Sequence, residues 1–272
     1  QPDVVVGVGG YASGPTLEMA SRAGIPLLIQ EQNSYAGITN KLLAKKVKKA
    51  CVAYDSMERF FPAERIQYTG NPVRSDILDL TDKKGVALAH FGLKKGKKTI
   101  LAFGGSLGAK TINEAFANST QVLQNNDVQV LWQMGKLYQS TYGKCATAQL
   151  ANVRAQTFID RMDLAYAAAD VIIGRAGALT ISELCIVGKA AILVPSPNVA
   201  EDHQTKNAMA LVKKKAAILI KDKDAEKQLL PSVLDLLSNE QEQLTLSTNI
   251  KQLAKPNAAK EIAQAVLKLG SN

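Results

Sequence analysis

The chain alternates short, continuous apolar runs with segments of helical period, and glycine marks many of the changeovers. From Asp3 to Glu31, the run DVVVGV, the loop GGYASGP, the stretch TLEMASRA, Gly24 and the run IPLLIQE predict strand, loop, helix and strand. A second copy starts at Lys98, with the strand TILAF, the loop GGSLGA, a helix from Lys110 to about Leu123 and the strand VQVLWQM. A third starts at Asp170, with the strand VIIG, the loop RAGA, the helix LTISELCIV, Gly188 and the strand AAILVP. These strands are unbroken β-branched and aliphatic runs, so both their faces are expected to lie under helices, as in parallel sheets. The repeated grammar predicts an α/β protein with doubly wound sheets.

Between Asn71 and about Lys98 that grammar lapses, and the polar runs TDKKG and KKGKK read as a linker between two sheets. After Asp222 only helices are predicted, with a break at Pro256 before an amphipathic helix from Ala258 to Leu269. Periodicity leaves open which sheet that helix packs on. Two domains suit the 272 residues.

Composition narrows the class. The chain is 46% hydrophobic and 21% charged, as in ordinary globular proteins, and its longest apolar runs fall far short of the ~20 residues of a membrane-spanning helix. A net charge of +9 favours partners carrying phosphate, or an anionic membrane surface. Much of the excess sits in Lys45-Lys46 with Lys48-Lys49, Lys94-Lys95 with Lys97-Lys98, and Lys213-Lys214-Lys215, which also read as solvated helix ends. No aromatic residues interleave them, which disfavours nucleic acid. Cys51, Cys145 and Cys185 fit neither a disulfide framework nor a zinc site and suggest a reducing compartment. Gln1-Pro2-Asp3 opens without a signal peptide, directly before a strand, so the chain reads as a piece of something longer.

Candidate chemistry gathers at the loops. Gly104-Gly105-Ser106-Leu107-Gly108-Ala109 joins a strand to a helix, where backbone N–H groups and a helix N-terminus suit a diphosphate; the same glycines could serve a tight turn alone. Gly7, Gly9 and Ala12 match a dinucleotide fingerprint, with Glu31 where an NAD ribose carboxylate would stand, although Ser13-Gly14-Pro15 widens the turn. Glu183 could accept from both ribose hydroxyls, or close a capping box with Thr180. His203 and Gln204 open a helix at the carboxyl edge of a sheet, and a lone histidine there is also an ordinary surface residue. Asp222-Lys223-Asp224 reads as an N-cap and solvated turn in preference to a metal-binding Asp-x-Asp. His90 has no partner at useful spacing.

Taken in order, GVGGYASGP, EQNSYAGITNKLLAK, GNPVR, FGGSLGA, FID, GRAGALTISE and HQTKNA make the chain resemble the MurG family of bacterial glycosyltransferases over essentially its whole length. That resemblance implies transfer of GlcNAc from UDP-GlcNAc to the muramyl 4-hydroxyl of lipid I, giving lipid II in peptidoglycan synthesis. It implies an inverting mechanism without metal or other cofactor, and a peripheral location on the cytoplasmic face of the bacterial inner membrane. The fold implied is GT-B, with two Rossmann-like doubly wound domains facing a cleft. Residues 1–73 with 257–272 would form an incomplete acceptor-side domain, and 74–256 the donor domain.

On the family pattern, Glu183 binds the ribose, Ile159 contacts the uracil, and Arg175, Ala178, Leu179 and Thr180 line the nucleotide and phosphates. Ser106 is a further nucleotide contact, His203 and Gln204 meet the GlcNAc hydroxyls, and Arg74 sits at the cleft. Gly9, Gly10, Ser13, Gly14 and Asn33 fall on the acceptor side. The family carries a further segment before the part seen here, with a GGTGGH loop whose histidine is a candidate general base. No residue of this chain is placed to be named as that base, and donor binding with slow turnover is expected. The basic helix Lys41–Lys49 is the stretch left to meet anionic lipid. Two alternatives stand: an inactive nucleotide-sugar-binding fragment, and an NAD-linked Rossmann oxidoreductase.

Overall fold

The computed structural model describes residues 2–271, which form two compact units: residues up to Val73 with those from Ala254 on, and Arg74–Leu253. The first unit opens with β1 (Val5–Gly7), α1 (Ser13–Arg22), β2 (Leu27–Glu31), α2 (Ile38–Leu43), β3 (Lys49–Val52) and β4 (Ile66–Tyr68). The four strands pair in parallel in the order β1-β2-β3-β4. Leu17 of α1, Ile29 of β2, Val52 of β3 and Val47 and Phe61 of the connections are buried in one core. The basic stretch Lys41–Lys49 is therefore not one helix. Its helix ends at Leu43, and Lys49 opens β3, where Ala50, Cys51 and Val52 are fully buried. The four lysines mask a short β-prone run.

The second unit begins with α3 (Lys83–Phe91), inside the stretch read as a linker. The expectation of a bare linker is corrected: Ala87, Leu88 and Phe91 share a helical face and are buried, while Gly85 and the flanking lysines hide the period. Then follow β5 (Lys98–Phe103), α4 (Lys110–Ala117), α5 (Thr120–Asn125), β6 (Val128–Gln133), α6 (Gln139–Tyr142) and β7 (Val153–Gln156). The helix predicted from Lys110 to Leu123 is broken at Asn118-Ser119. There the Ser119 hydroxyl donates to the Ala115 carbonyl at 2.6 Å, a bond that bends helices. The unit continues with α7 (Met162–Ala168), β8 (Val171–Gly174), α8 (Ala178–Val187), β9 (Ala190–Leu193), α9 (His203–Val212), β10 (Ile218–Leu219), α10 (Ala225–Ser238) and α11 (Glu240–Lys251).

Its six parallel strands run β10-β9-β8-β5-β6-β7, so the winding reverses between β5 and β8. Trp132 of β6 is fully buried and stacks on Phe116 of α4, with ring centroids 5.7 Å apart. Its indole N–H donates to Asn113 Oδ1 at 2.9 Å, and Asn113 in turn donates to the Met134 carbonyl at 2.8 Å. This chain of bonds fixes α4 against the sheet and so sets where its N-terminus lies. The last helix, α12 (Ala258–Gly270), belongs to the first unit.

Candidate functional site

In the second unit, the loops after β5 and β8 leave the sheet on either side of the winding reversal, where open α/β sheets form ligand crevices. They border a cavity of about 560 Å³ lined by Gly104–Thr111, Tyr138, Arg175, Gly177, Thr180, Ser196, Pro197, Asn198, Gln204 and Asp222. Two helices begin at its wall: α4 after Ala109 and α8 after Gly177, and neither N-cap residue makes a side-chain capping bond. Their first-turn N–H groups carry the positive end of the helix dipole and suit an anion.

The glycines of the first loop divide in role. A Cβ on Gly108, at φ +91°, would stand 2.1 Å from the Met134 carbonyl oxygen. Gly105 is also left-handed, at φ +84°, but nothing lies within 4 Å of its would-be Cβ. Gly108 is thus needed for close packing, whereas Gly105 keeps exposed backbone open beside Ser106.

Arg175 is only 15% exposed and is tied down. Its Nη1 donates to the Val194 and Pro195 carbonyls at 3.0 and 3.3 Å and to Asp222, and its Nη2 donates to Thr111 Oγ1 at 3.1 Å. Asp222 is therefore not a solvated turn residue, and that expectation is corrected: it accepts from both Arg175 and Thr111 and is 17% exposed. Spacing gave no sign of this, because Thr111 and Asp222 meet only when α4 is docked.

Gln204 in the first turn of α9 lines the cavity and accepts from the Ser196 N–H at 2.8 Å, so its amide oxygen is engaged by the loop after β9. His203 lies 3.8 Å from Glu201 and does not line the cavity. Ala178 and Leu179 occupy the first turn of α8, Leu179 exposed. With Gly177 as N-cap, Thr180 stands within the helix and Glu183 a turn further on, so the capping-box alternative is excluded.

Glu183 accepts from the Tyr166 hydroxyl at 2.8 Å, and burial pushes its carboxyl above the usual carboxylate range. Arg74 faces it electrostatically and is chelated by Asp76 at 2.9 and 2.5 Å, which lowers the Asp76 pKa. Ile159 is buried, and its N–H already donates to Gln133 Oε1 at 2.8 Å. What it can still offer a base is its carbonyl.

In the first unit, Gly9 and Gly10 are left-handed, Ser13 and Thr39 donate to the Gly10 carbonyl at 2.9 and 3.1 Å, and Gly14 lies beside Thr39. Glu31 is buried and fully engaged by its own loop: it accepts from the Asn33 and Gly37 N–H groups, both at 3.0 Å, and from Asn40 Nδ2 at 2.8 Å. It is not presented to a dinucleotide ribose, which removes the carboxylate that the NAD reading relied on. Among the described residues, no helix is long and apolar enough to cross a membrane.

The sequence pattern of the Glycosyltransferase family 28 C-terminal domain matches residues 99–262, and that of the family 28 N-terminal domain matches residues 1–52. A UDP-N-acetylglucosamine:N-acetylmuramyl-(pentapeptide) pyrophosphoryl-undecaprenol N-acetylglucosamine transferase of Parabacteroides distasonis is 57% identical over 99% of this chain and 73% of its own length. The transferase of the same name from Bacteroides fragilis is 55% identical over 99% of this chain and 72% of its own. Among solved structures, Acinetobacter baumannii MurG superposes with a TM-score of 0.78 at 33% identity, over 98% of this chain and 73% of that one. A Neisseria meningitidis UDP-GlcNAc 2-epimerase bound to UDP-GlcNAc shares the fold at 14% identity and TM-score 0.68, over 98% of this chain and 76% of that one.

Proposed function

The chain belongs to glycosyltransferase family 28, and on that premise we propose how its second unit holds a nucleotide sugar. The protein is a UDP-GlcNAc-dependent hexosyltransferase of the GT-B fold, acting in the peptidoglycan step that makes lipid II. Its acceptor is the N-acetylmuramyl-(pentapeptide) pyrophosphoryl-undecaprenol of its relatives' names, lipid I.

The observation that carries the site reading is the cavity walled by the two uncapped helix starts and the open glycine loop. In this reading the diphosphate of UDP-GlcNAc lies there, against Ser106, Thr180 and the first-turn N–H groups at Ala178 and Leu179. As the bond from sugar to UDP breaks, negative charge grows on the diphosphate, and fixed donors aimed at it stabilise the charge without reorganising. Arg175 lines the same wall with its own charge offset by Asp222. Glu183 takes the ribose hydroxyls, Gln204 the GlcNAc hydroxyls, with His203 one residue before it and outside the cavity wall as a second sugar contact, the Ile159 turn the uracil, and Arg74 stands beside Glu183. The 4-hydroxyl of the acceptor attacks the anomeric carbon with inversion.

Gly9, Gly10, Ser13, Gly14 and Asn33 form the acceptor side. Membrane contact falls to α2 and the turn after it, where Ile38 and Leu42 are exposed near Lys45, Lys46 and Lys48, at an anionic cytoplasmic leaflet. Calorimetric titration with UDP and UDP-GlcNAc tests the donor site, and failure of both to bind overturns it. Titration with NADH should show no binding. Co-sedimentation with phosphatidylglycerol vesicles but not phosphatidylcholine vesicles, lost on Lys45→Glu with Lys48→Glu, tests the membrane face.

A further inference from the structure

Tyr166 on α7 is fully buried, its ring edge-on to Phe103 of β5 with centroids 6.1 Å apart. Phenylalanine would serve this packing equally well, and it would spare the chain a buried hydroxyl that needs a partner. The partner that hydroxyl has is Glu183 Oε2, at 2.8 Å on the neighbouring helix α8. Among the described residues no other hydrogen bond reaches this carboxylate, so Oε1 is the oxygen left to a ligand. Thr180, one turn earlier on α8, lines the cavity.

We propose that Tyr166 is a positioning residue for the donor nucleotide: it holds Oε2 of Glu183 so that Oε1 is presented to the ribose hydroxyls. The proposal deepens the reading of Glu183 as the ribose ligand and rests on it. A glutamate has several rotatable bonds, and a carboxylate fixed before the ligand arrives loses less freedom on binding. The hydroxyl also acts on protonation. Burial favours the neutral acid, a weaker acceptor from the ribose hydroxyls than the carboxylate, while the bond from Tyr166 and the charge of Arg74 favour the carboxylate against burial and the like charge of Asp76. Removing the hydroxyl leaves a desolvated carboxylate with Arg74 alone to hold it ionised, so it takes up a proton at higher pH.

The test titrates UDP and 2′,3′-dideoxy-UDP calorimetrically into the full 272-residue chain from about pH 5 to pH 8, for wild type, Tyr166→Phe and Glu183→Gln. Wild type should prefer UDP and lose that preference on the acid side. Tyr166→Phe should bind UDP ~3–10-fold more weakly near neutrality, as for one lost hydrogen bond, with dideoxy-UDP unchanged and the acid limb moved to higher pH. Glu183→Gln should show no acid limb and no preference. If Tyr166→Phe keeps the wild-type preference and limb while Glu183→Gln loses both, the proposal falls and the ribose reading stands. If wild type does not distinguish the two nucleotides and Glu183→Gln changes nothing, the ribose reading fails, and the proposal with it. Should Tyr166→Phe not fold, 3,5-difluorotyrosine at position 166, a stronger donor, should move the acid limb to lower pH; an unmoved limb overturns the proposal.

Discussion

Arg175 and Asp222, 47 positions apart in sequence, form an ion pair on the wall of the cavity, each side chain less than a fifth exposed. Thr111 donates to the same Asp222 oxygen at 2.5 Å, so the start of α4, the loop after β8 and the approach to α10 share one knot. Asp222→Ala leaves a largely buried guanidinium without its counter-charge. Urea unfolding should show a loss of ~1–3 kcal/mol, below that of a fully buried pair because water reaches part of the site. UDP should raise the melting temperature of this variant more than that of wild type, since its phosphates return negative charge beside Arg175. Equal shifts would separate Arg175 from the phosphate site.

Two neighbouring glycines should respond differently to alanine. Gly108→Ala drives a methyl into the Met134 carbonyl and should cost several kcal/mol of stability, on the order of other core overpacking. Gly105→Ala meets no atom and adds only left-handed strain of ~1–2 kcal/mol. Circular-dichroism melts should therefore show Gly105→Ala folded, while calorimetry shows its UDP affinity reduced. Full affinity in that variant would place the diphosphate elsewhere.

Gln204→Ala removes an amide from the cavity wall and also frees the Ser196 N–H. The preference for UDP-GlcNAc over UDP-glucose should narrow by ~5-fold, the worth of one hydrogen bond. Competition between the two donors measures the ratio, and an unaltered ratio takes Gln204 out of the sugar site.

Asp163 gives the fold an acid-side weakness. Arg161 donates to it at 2.9 and 2.8 Å, burial opposes ionisation less strongly, and its pKa falls from 3.8 to about 2. Lys83 of α3 adds an ion pair at 3.5 Å. The native state thus holds fewer protons than the unfolded chain between about pH 4 and pH 2, and the stabilisation present above that window is lost as pH falls through it. It amounts to at most ~2 kcal/mol, reduced by solvent around half-exposed Arg161. Asp163→Asn should flatten this part of the stability curve in urea melts at graded pH.

Most strands legible in sequence are buried on both faces, such as Ile100–Phe103 and Val171–Gly174, because burial on both sides demands an unbroken apolar run; β1 has such a run too, yet its Val6 is 41% exposed, so the expectation of cover on both faces fails there. The strands β3, β4, β7 and β10 are only two to four residues long, too short for a pattern to show, and β7 is also half polar at Val153–Gln156; their pairing is decided by neighbours distant in sequence. The same division holds at the site. Glycine loops and Glu183 carry local signatures, whereas Asp222 and Tyr166 act through partners 111 and 17 positions away that no spacing rule connects to them. Ile159 shows the converse, a motif residue whose side chain and N–H are already spent inside the fold.

The return of α12 to the first unit has a kinetic meaning. The second unit is one uninterrupted segment and can close as soon as it is synthesised, whereas the first is in two pieces separated by all of it. Lys255 lies over the Tyr68 ring at 3.8 Å, and Ala258 packs near Gly70, so these long-range contacts form only when the last helix arrives. Closing so long a loop is slow relative to local pairing. The half bearing β1 to β4 must therefore wait with its final contacts unmade while the whole second unit is synthesised, and this interval is when a chaperone would have most to protect.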